Sequence, residues 1–295
     1  MIRTKLLFTA LLVLTLTGCS KRPGDIVACG DDQVIIIDRS RSNDKNVAIS
    51  WRWKVTEISD LPAVYQKYMK ATDDCKPVDG NKKILITSST GGVVLVDRKT
   101  KRSIFYAHVP MAHSAAYLPD NRIVVALSTA AGGNCIELFD VKKPEEVIFK
   151  DSLYSGHGVV WMPESKQLFA LGYNELRAYT LGNWDTEKPY LQLSEKWMLP
   201  DNGGHELTSV SGSKLILTTT HGVWIFNTSD EQFHSFGLLD TVQNVKSLNY
   251  NENTKELVYT KAEISWWTHN IYCKNPDNIF TIPEINLYKV RVISE

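Results

Sequence analysis

The sequence predicts an all-β protein, a β-propeller of six four-stranded blades that occupies residues 26–295. Two observations lead to this prediction. After residue 25, short strand-like segments separated by polar turns follow one another, and stretches with helical periodicity are almost absent. In addition, a pattern that begins with histidine recurs in three segments: HSAAYLPDNRIVVAL from His113, HGVVWMPESKQLFAL from His157 and HELTSVSGSKLILTT from His205.

Two weaker copies extend this repeat on both sides. DCKPVDGNKKILITS begins at Asp74, and KSLNYNENTKELVYT begins at Lys246. Successive copies begin 39, 44, 48 and 41 residues apart, an interval typical of a four-stranded propeller blade. A third strand is predicted after each of the first four copies, at residues 93–97, 136–140, 175–179 and 223–227.

The segments outside the five copies complete the ring. Residues 25–54 contain three strand-like runs without an innermost partner, and Asn286–Ile293 is predicted to supply that partner and close the propeller. The same C-terminal segment could instead be the third strand of the last blade, so seven blades remain an alternative, as does a β-sandwich or jelly roll. A short helix is predicted over Ile58–Met69, with Ser59 as its N-cap.

The N-terminal residues have the features of an export signal. Two basic residues precede the apolar run Leu6–Leu16, which is too short to span a bilayer comfortably. The run ends in Leu16-Thr17-Gly18-Cys19, which resembles the lipobox of bacterial lipoproteins. The resemblance implies that residues 1–18 are a signal peptide, that diacylglycerol and palmitate are attached at Cys19, and that residues 19–25 are a lipidated tether. An uncleaved anchor helix is the alternative.

The residues after Cys19 indicate which membrane the anchor would occupy. Ser20 stands where lipoproteins retained in the inner membrane usually carry aspartate, so the resemblance implies the outer membrane. Lys21 and Arg22 follow, whereas lipoproteins exported to the cell surface often carry acidic residues there. The predicted partner is therefore the lipid bilayer, bound through acylated Cys19, with the protein on the periplasmic face.

Composition and missing motifs exclude several function classes. Lysine plus arginine and aspartate plus glutamate number 33 each, so no global positive field favours nucleic acid, and nucleic acid is not a predicted partner. The sequence contains no G-x-S-x-G elbow, Walker loop, dinucleotide-binding fingerprint or H-E-x-x-H motif. Phosphoryl or hydride transfer therefore has no support.

Four further cysteines are Cys29, Cys75, Cys135 and Cys273. No two of them form the C-x-x-C spacing of a zinc knuckle or redox motif. In an oxidising compartment, these cysteines could form one structural disulfide or remain four buried free thiols, and the sequence does not decide between the two.

The first residues of the five repeat copies are the candidate site. The innermost strands of a propeller line its central channel, so these residues should converge at one channel mouth. We predict that His113, His157, His205 and Lys246 are catalytic. Three neutral imidazoles near one point would also suit a divalent metal such as zinc, manganese or nickel, so the same three histidines are the predicted metal ligands.

Aromatic and polar residues near these positions are predicted to bind substrate. In the segment ISWWTHNIYC, residues 264–273, two tryptophans stand where a short loop is expected, and they suit either blade packing or a platform over the channel mouth. Tryptophan faces stack on sugar rings, and an adjacent imidazole and amide supply hydrogen bonds. The predicted substrate-binding residues are Asp74, Tyr117, Trp161, Trp266, Trp267, His269 and Asn270.

With its histidines at a channel mouth, this layout resembles, at fold level, the propeller polysaccharide lyases of the oligogalacturonate and ulvan types. The whole chain is also similar to uncharacterised β-propeller lipoproteins of glycan-degrading Gram-negative bacteria. The first resemblance implies β-elimination on an anionic, uronic-acid glycan, in which a histidine or tyrosine removes the C5 proton while a cation or metal neutralises the carboxylate. The competing hypothesis is a non-catalytic propeller that binds a glycan, a metal or a partner protein in an envelope assembly.

Overall fold

A computed structural model describes residues 23–293, and in these residues the chain forms a ring of six four-stranded antiparallel sheets. The predicted β-propeller with six blades is therefore confirmed. The predicted signal peptide and Cys19 lie outside the described residues. None of the helices between residues 23 and 293 combines the length and apolar character that crossing a bilayer would require.

Short strands of four to nine residues make up nearly all of the regular structure. In chain order they are β1 (Ile26–Gly30), β2 (Gln33–Ile37), β3 (Ile49–Lys54), β4 (Thr72–Val78), β5 (Lys83–Ser88), β6 (Gly92–Asp97), β7 (Ser103–His108), β8 (Ala112–Leu118), β9 (Arg122–Leu127), β10 (Cys135–Asp140), β11 (Val147–Ser152), β12 (Gly158–Met162), β13 (Gln167–Leu171), β14 (Glu175–Gly182), β15 (Tyr190–Met198), β16 (Glu206–Ser211), β17 (Lys214–Thr218), β18 (Val223–Asn227), β19 (Gln232–Ser235), β20 (Val245–Tyr250), β21 (Leu257–Lys261), β22 (Asn270–Lys274), β23 (Asn278–Thr281) and β24 (Leu287–Val292). Within residues 23–293, three short 3-10 helices lie at Arg39–Arg41, Val55–Glu57 and Pro119–Asn121.

The C-terminal strand closes the ring. Blade 1 has the strand order β24-β1-β2-β3, and blades 2 to 6 consist of β4–β7, β8–β11, β12–β15, β16–β19 and β20–β23. Strand β24 pairs antiparallel with β1, with Ile26 opposite Val292, and it contacts both β4 and β20. The predicted closure by Asn286–Ile293 is therefore confirmed, and this strand is the innermost strand of blade 1.

The hydrophobic core lies between neighbouring blades. Strand side chains alternate between the two faces of a sheet, so each blade offers apolar side chains to both of its neighbours. One such cluster joins Leu85 and Phe105 of blade 2 to Val125 and Phe139 of blade 3. Because this packing repeats around the ring, the innermost strands are held at set positions along the channel.

The predicted helix over Ile58–Met69 is reduced to a single turn, α1, at Ala63–Gln66. Pro62 occupies the N-cap position and is extended, which stops the helix from starting earlier. Leu61 and Met69 are buried in the core between blades 1 and 2, whereas Val64 is exposed. The apolar residues here therefore anchor a loop and do not form one helical face.

The four cysteines of the described chain are buried free thiols: Cys29, Cys75, Cys135 and Cys273. The sequence left open one structural disulfide or four buried free thiols. In residues 23–293 the structure has four free thiols and no disulfide. Cys29 and Cys75 both direct their sulfur atoms toward the carbonyl of Lys289, at 3.5 and 3.9 Å. These thiols therefore pack beside the closing strand.

Candidate active site at the channel mouth

Six residues, one from the start of each innermost strand, occupy equivalent positions around one mouth of the channel. We call them the mouth ring: Asp73, His113, His157, His205, Lys246 and Tyr288. The predicted convergence of the three histidines and Lys246 is present in the structure. Tyr288, which was not among the predicted site residues, completes the ring from β24.

Backbone irregularities create four of these six positions. A β-bulge places His113 between the paired residues Ala112 and Ser114, and equivalent bulges occur at Asp73 and Lys246. A bulge residue is left out of the regular pairing and turns its side chain relative to its neighbours. The bulges therefore aim one side chain from each of these strands at the mouth.

Asp73, rather than the predicted Asp74, occupies the ring position of blade 2. Four residues separate the paired ends of β4 and β5, whereas three separate those of β8 and β9. The prediction counted back from the start of β5 by the interval that separates His113 from the start of β9. Because the turn before β5 is one residue longer, this count ends at Asp74, one residue after the ring position. Asp74 lies one layer deeper, where it accepts a hydrogen bond from Ser114 Oγ at 2.8 Å.

The three imidazoles pack edge to face. The ring centroids of His113 and His157 are 4.4 Å apart, and those of His157 and His205 are 5.0 Å apart. His113 Nδ1 lies 3.2 Å from the Met111 carbonyl and His157 Nδ1 lies 2.8 Å from the Ser155 carbonyl. A carbonyl only accepts, so in both residues Nδ1 carries the proton and Nε2 keeps its lone pair.

Burial keeps these imidazoles neutral. It lowers the pKa of His113 to about 4 and that of His205 to about 3, with the nearby Lys246 charge acting in the same direction. The pKa of His157 is also lowered well below its usual value by burial and by its two histidine neighbours. At neutral pH the ring therefore offers uncharged nitrogen atoms.

Lys246 is the cation of the mouth ring. Its Nζ lies 3.0 Å from His205 Nε2, so the ammonium donates to that neutral imidazole. The same Nζ lies 5.3 Å from the ring centroid of Trp266, a cation–π distance. Burial and the charge of Lys289 lower the pKa of Lys246 to about 8, so the ammonium form still predominates at pH 7.

Asp73 and Tyr288 complete the ring as neutral groups. Burial raises the pKa of Asp73 to about 8 and that of Tyr288 well above its usual value. The Tyr288 ring packs edge to face on His113, with centroids 6.4 Å apart. Near pH 7 this side of the ring therefore presents a carboxylic acid and a phenol as hydrogen-bond donors.

A cavity of about 540 Å³ opens above the mouth ring. It is lined by the three histidines, Asp73 and Tyr288 from the ring, and by Trp266 and Trp267 from the loop between β21 and β22. Both tryptophans are exposed, Trp266 by 62%. The predicted tryptophan platform thus lies at the same mouth as the histidines.

The other two predicted residues of that segment do not reach the cavity. His269 Nδ1 donates to the Ile285 carbonyl at 2.9 Å, and Asn270 Nδ2 donates to Glu263 at 2.9 Å. The Asn270 contact ties the loop to β22 of its own blade, and the His269 contact ties it to the connection between β23 and β24. His269 and Asn270 therefore support the tryptophan loop without lining the candidate site.

Tyr117 and Trp161 lie at the opposite mouth. They stand four residues along their strands from His113 and His157, a distance of about 13 Å at the usual rise of a strand. They line a second cavity of about 540 Å³ together with Lys76 and Arg291. These two predicted substrate-binding residues therefore do not share the cavity of the mouth ring.

A buried layer of charges separates the two cavities. Arg291 Nη2 lies 2.7 Å from Asp74 Oδ1, and Arg291 Nη1 lies 3.1 Å from Glu206 Oε1. Lys289 Nζ donates to the His205 carbonyl at 3.1 Å and lies 3.4 Å from Glu206 Oε2. This layer was not predicted from the sequence. The sequence feature that could have predicted the layer is the pair Lys289 and Arg291 in the closing strand. These two basic residues are two apart, so they lie on the same face of an otherwise apolar strand.

The ring does not support the predicted metal site. Between residues 23 and 293, no three histidine, cysteine, aspartate or glutamate side chains are arranged so as to hold a metal ion. The imidazoles of His113 and His157 pack edge to face, and His205 Nε2 already accepts a hydrogen bond from the Lys246 ammonium at 3.0 Å, so the three Nε2 atoms are not free to share one ion. The residues present therefore do not fit a zinc, manganese or nickel centre with three histidine ligands.

Comparisons with known proteins identify the family and the fold. The model of a family of unknown function, DUF6528, matches residues 24–295. A chain in the crystal structure of a nidogen/laminin complex is similar over 92% of this chain and 98% of its own, with a TM-score of 0.60 and 13% identity. A chain of the mitotic checkpoint complex is similar over 92% and 85%, with a TM-score of 0.56 and 11% identity. These likenesses establish the β-propeller fold alone, and no curated protein matches the chain.

Proposed function

We propose that this chain, which belongs to the DUF6528 family of unknown function, binds a uronic-acid residue of an anionic glycan in the cavity of the mouth ring. The observation that carries the proposal is the position of the Lys246 ammonium, which does not line the cavity itself but lies between two residues that do, His205 and Trp266. A carboxylate at this point would pair with Lys246 while the sugar ring stacks on the tryptophan.

The electrostatics of the ring favour an anionic ligand. The histidines are neutral, Asp73 is protonated near pH 7, and Lys246 is therefore the charged member of the ring. A largely buried ammonium with neutral neighbours gains free energy from a desolvated anionic partner. The free Nε2 atoms of His113 and His157 would accept hydrogen bonds from sugar hydroxyl groups.

Titration calorimetry with a galacturonate disaccharide tests this proposal. We expect the wild-type protein to bind it more tightly than the uncharged galactose disaccharide, and Lys246→Gln to lower the affinity at least 30-fold, since truncating a buried charged partner costs about 2–5 kcal/mol. The matched control is Lys83→Gln, because Lys83 lies 5.1 Å over the Tyr117 ring at the other mouth. Equal binding of both disaccharides, or equal effects of the two substitutions, would contradict the proposal.

Catalysis of β-elimination is the second candidate function, and one observation favours it. His113 and His157 hold unprotonated Nε2 atoms at neutral pH, and Tyr288 lies against His113, so a proton acceptor and a proton donor are adjacent. The same incubations, followed by the absorbance of unsaturated uronate, distinguish catalysis from binding. An absorbance increase that His157→Ala abolishes would indicate a lyase, and no increase would leave binding alone.

We also propose that the propeller is held at the periplasmic face of the outer membrane by acylated Cys19. The basic and apolar residues before Leu16-Thr17-Gly18-Cys19 support this anchoring. Metabolic labelling with palmitate should mark the wild-type protein, and Cys19→Ser should remove both the label and the membrane association. A membrane-bound, unlabelled wild-type protein would contradict it.

A further inference from the structure

A second pair of exposed aromatic residues lies beside the cavity. Tyr154 is 58% exposed and Tyr173 is 41% exposed, and their ring centroids are 5.6 Å apart at an angle of 67°. The backbone N–H of Tyr173 donates to the Tyr154 carbonyl at 2.9 Å, which holds the two loops together. Two large aromatic rings are thus kept in contact with each other and in contact with solvent.

The tyrosine pair belongs to the same mouth as the histidines. Tyr154 directly precedes Ser155, which lines the cavity, and it stands three residues before His157. At 3.8 Å between consecutive Cα atoms, it lies within about 11 Å of that ring residue. The tyrosines, which do not line the cavity, therefore extend its rim outward on the side of blade 4.

The tryptophans lie on another side of the same rim. Trp266 and Trp267 come from blade 6, and the whole of blade 5 separates them from the Tyr173 loop of blade 4. A ligand that touched both aromatic pairs would have to pass across the cavity. A cavity of about 540 Å³ encloses a small ligand, so contact with both pairs requires a ligand that continues beyond the cavity.

We infer that the mouth binds an internal segment of an anionic polysaccharide, with one uronate in the cavity and flanking sugars on the Trp266–Trp267 and Tyr154–Tyr173 pairs. This inference rests on the proposed function and specifies the ligand class. The ligand is an internal stretch of a polymer, and not a monosaccharide or the end of a chain. Exposed aromatic faces suit the apolar faces of sugar rings, and each such contact strengthens binding about 3- to 10-fold. The exposed Lys70, which lines the cavity, provides a further cation for a chain of carboxylates.

Calorimetry with galacturonate oligosaccharides of increasing length tests the inference. We expect affinity to rise from the disaccharide to the hexasaccharide. Tyr154→Ala and Tyr173→Ala should each lower the affinity for the hexasaccharide about 3- to 10-fold and leave that for the disaccharide unchanged. The control is Ile104→Ala, an exposed apolar residue on the outermost strand of blade 2, which should change neither affinity.

The outcomes separate this inference from the proposed function. Disaccharide binding that depends on Lys246, with equal affinity for the hexasaccharide and no effect of Tyr154→Ala, would overturn the inference and leave the proposed function standing. Absence of binding by every galacturonate oligosaccharide would overturn both.

Discussion

Replacing Asp74 with alanine should lower the free energy of unfolding by about 3–5 kcal/mol, because the substitution leaves a buried cation without its partner. Asp74 is fully buried and ion-paired with Arg291 at 2.7 Å and with Lys76 at 3.5 Å. It also accepts hydrogen bonds from Ser114 Oγ and the Cys75 backbone N–H. These contacts join blade 2 to the closing strand of blade 1, so the loss affects ring closure.

Urea unfolding of the variant and two controls measures this effect. Glu57→Ala breaks the exposed ion pair with Arg52 and should cost less than about 1 kcal/mol. The double variant Asp74→Ala/Arg291→Met removes both partners and should recover part of the stability that Asp74→Ala loses. A cost for Asp74→Ala no larger than that of Glu57→Ala would show that the buried layer does not hold the ring closed.

The pH dependence of this contribution follows from the sign of the pKa shift. Burial alone would raise the pKa of Asp74, but Arg291 and then Lys76 outweigh it and lower the pKa well below the usual value of 3.8. The Asp74 carboxylate therefore contributes its full stabilisation above about pH 4. This contribution is lost as the pH falls through the lowered pKa of Asp74 in the folded protein. Wild type and Asp74→Ala should accordingly converge in stability in strong acid and stay apart at pH 5–7.

Loss of the Lys246 charge should lower the affinity for the galacturonate disaccharide about 50-fold between pH 8 and pH 10. Burial and the charge of Lys289 lower the pKa of Lys246 to about 8, so the ammonium form declines about tenfold per pH unit above that value. His205, His113 and Lys289 are the other titratable groups around it. The histidines are already neutral in this range, so they do not contribute to the decline.

Two variants identify the group responsible for that decline. Lys246→Arg stays charged throughout the range, so its affinity should fall much less between pH 8 and pH 10 than that of the wild type. Asp73, whose pKa is raised to about 8 by burial, gains a negative charge in the same range and would weaken binding in the same direction. Asp73→Asn should therefore reduce the slope, and an unchanged profile for Lys246→Arg would exclude Lys246 as the ligand's cation.

Repeat spacing made the fold and the histidine convergence predictable. Copies that begin at His113, His157 and His205 reach the second strand after 9, 10 and 9 residues, so the ring carries each histidine to an equivalent place. Rotational repetition converts equal positions in sequence into neighbouring positions in space. The same reasoning correctly placed the closing strand in Asn286–Ile293.

Local backbone geometry limited that reasoning. The longer turn after β4 moved the ring position from Asp74 to Asp73, and the bulge in β24 brought Tyr288 into the ring. Strand length separated Tyr117 and Trp161 from the histidines, because four residues along a strand lead to the other mouth. One-residue differences in turns and bulges leave little trace in composition or periodicity.

The sequence by itself determined a ring of repeated blades and the gathering of three histidines with one lysine, since both depend on a period that can be counted along the chain. The structure decided for six blades over seven and for Asn286–Ile293 as the closing strand. Only the tertiary structure decided the charge state of those groups and the pairing of Asp74 and Glu206 with Arg291. The reason is physical: pKa values and ion pairs depend on burial and on distances of a few ångströms between strands far apart in the chain.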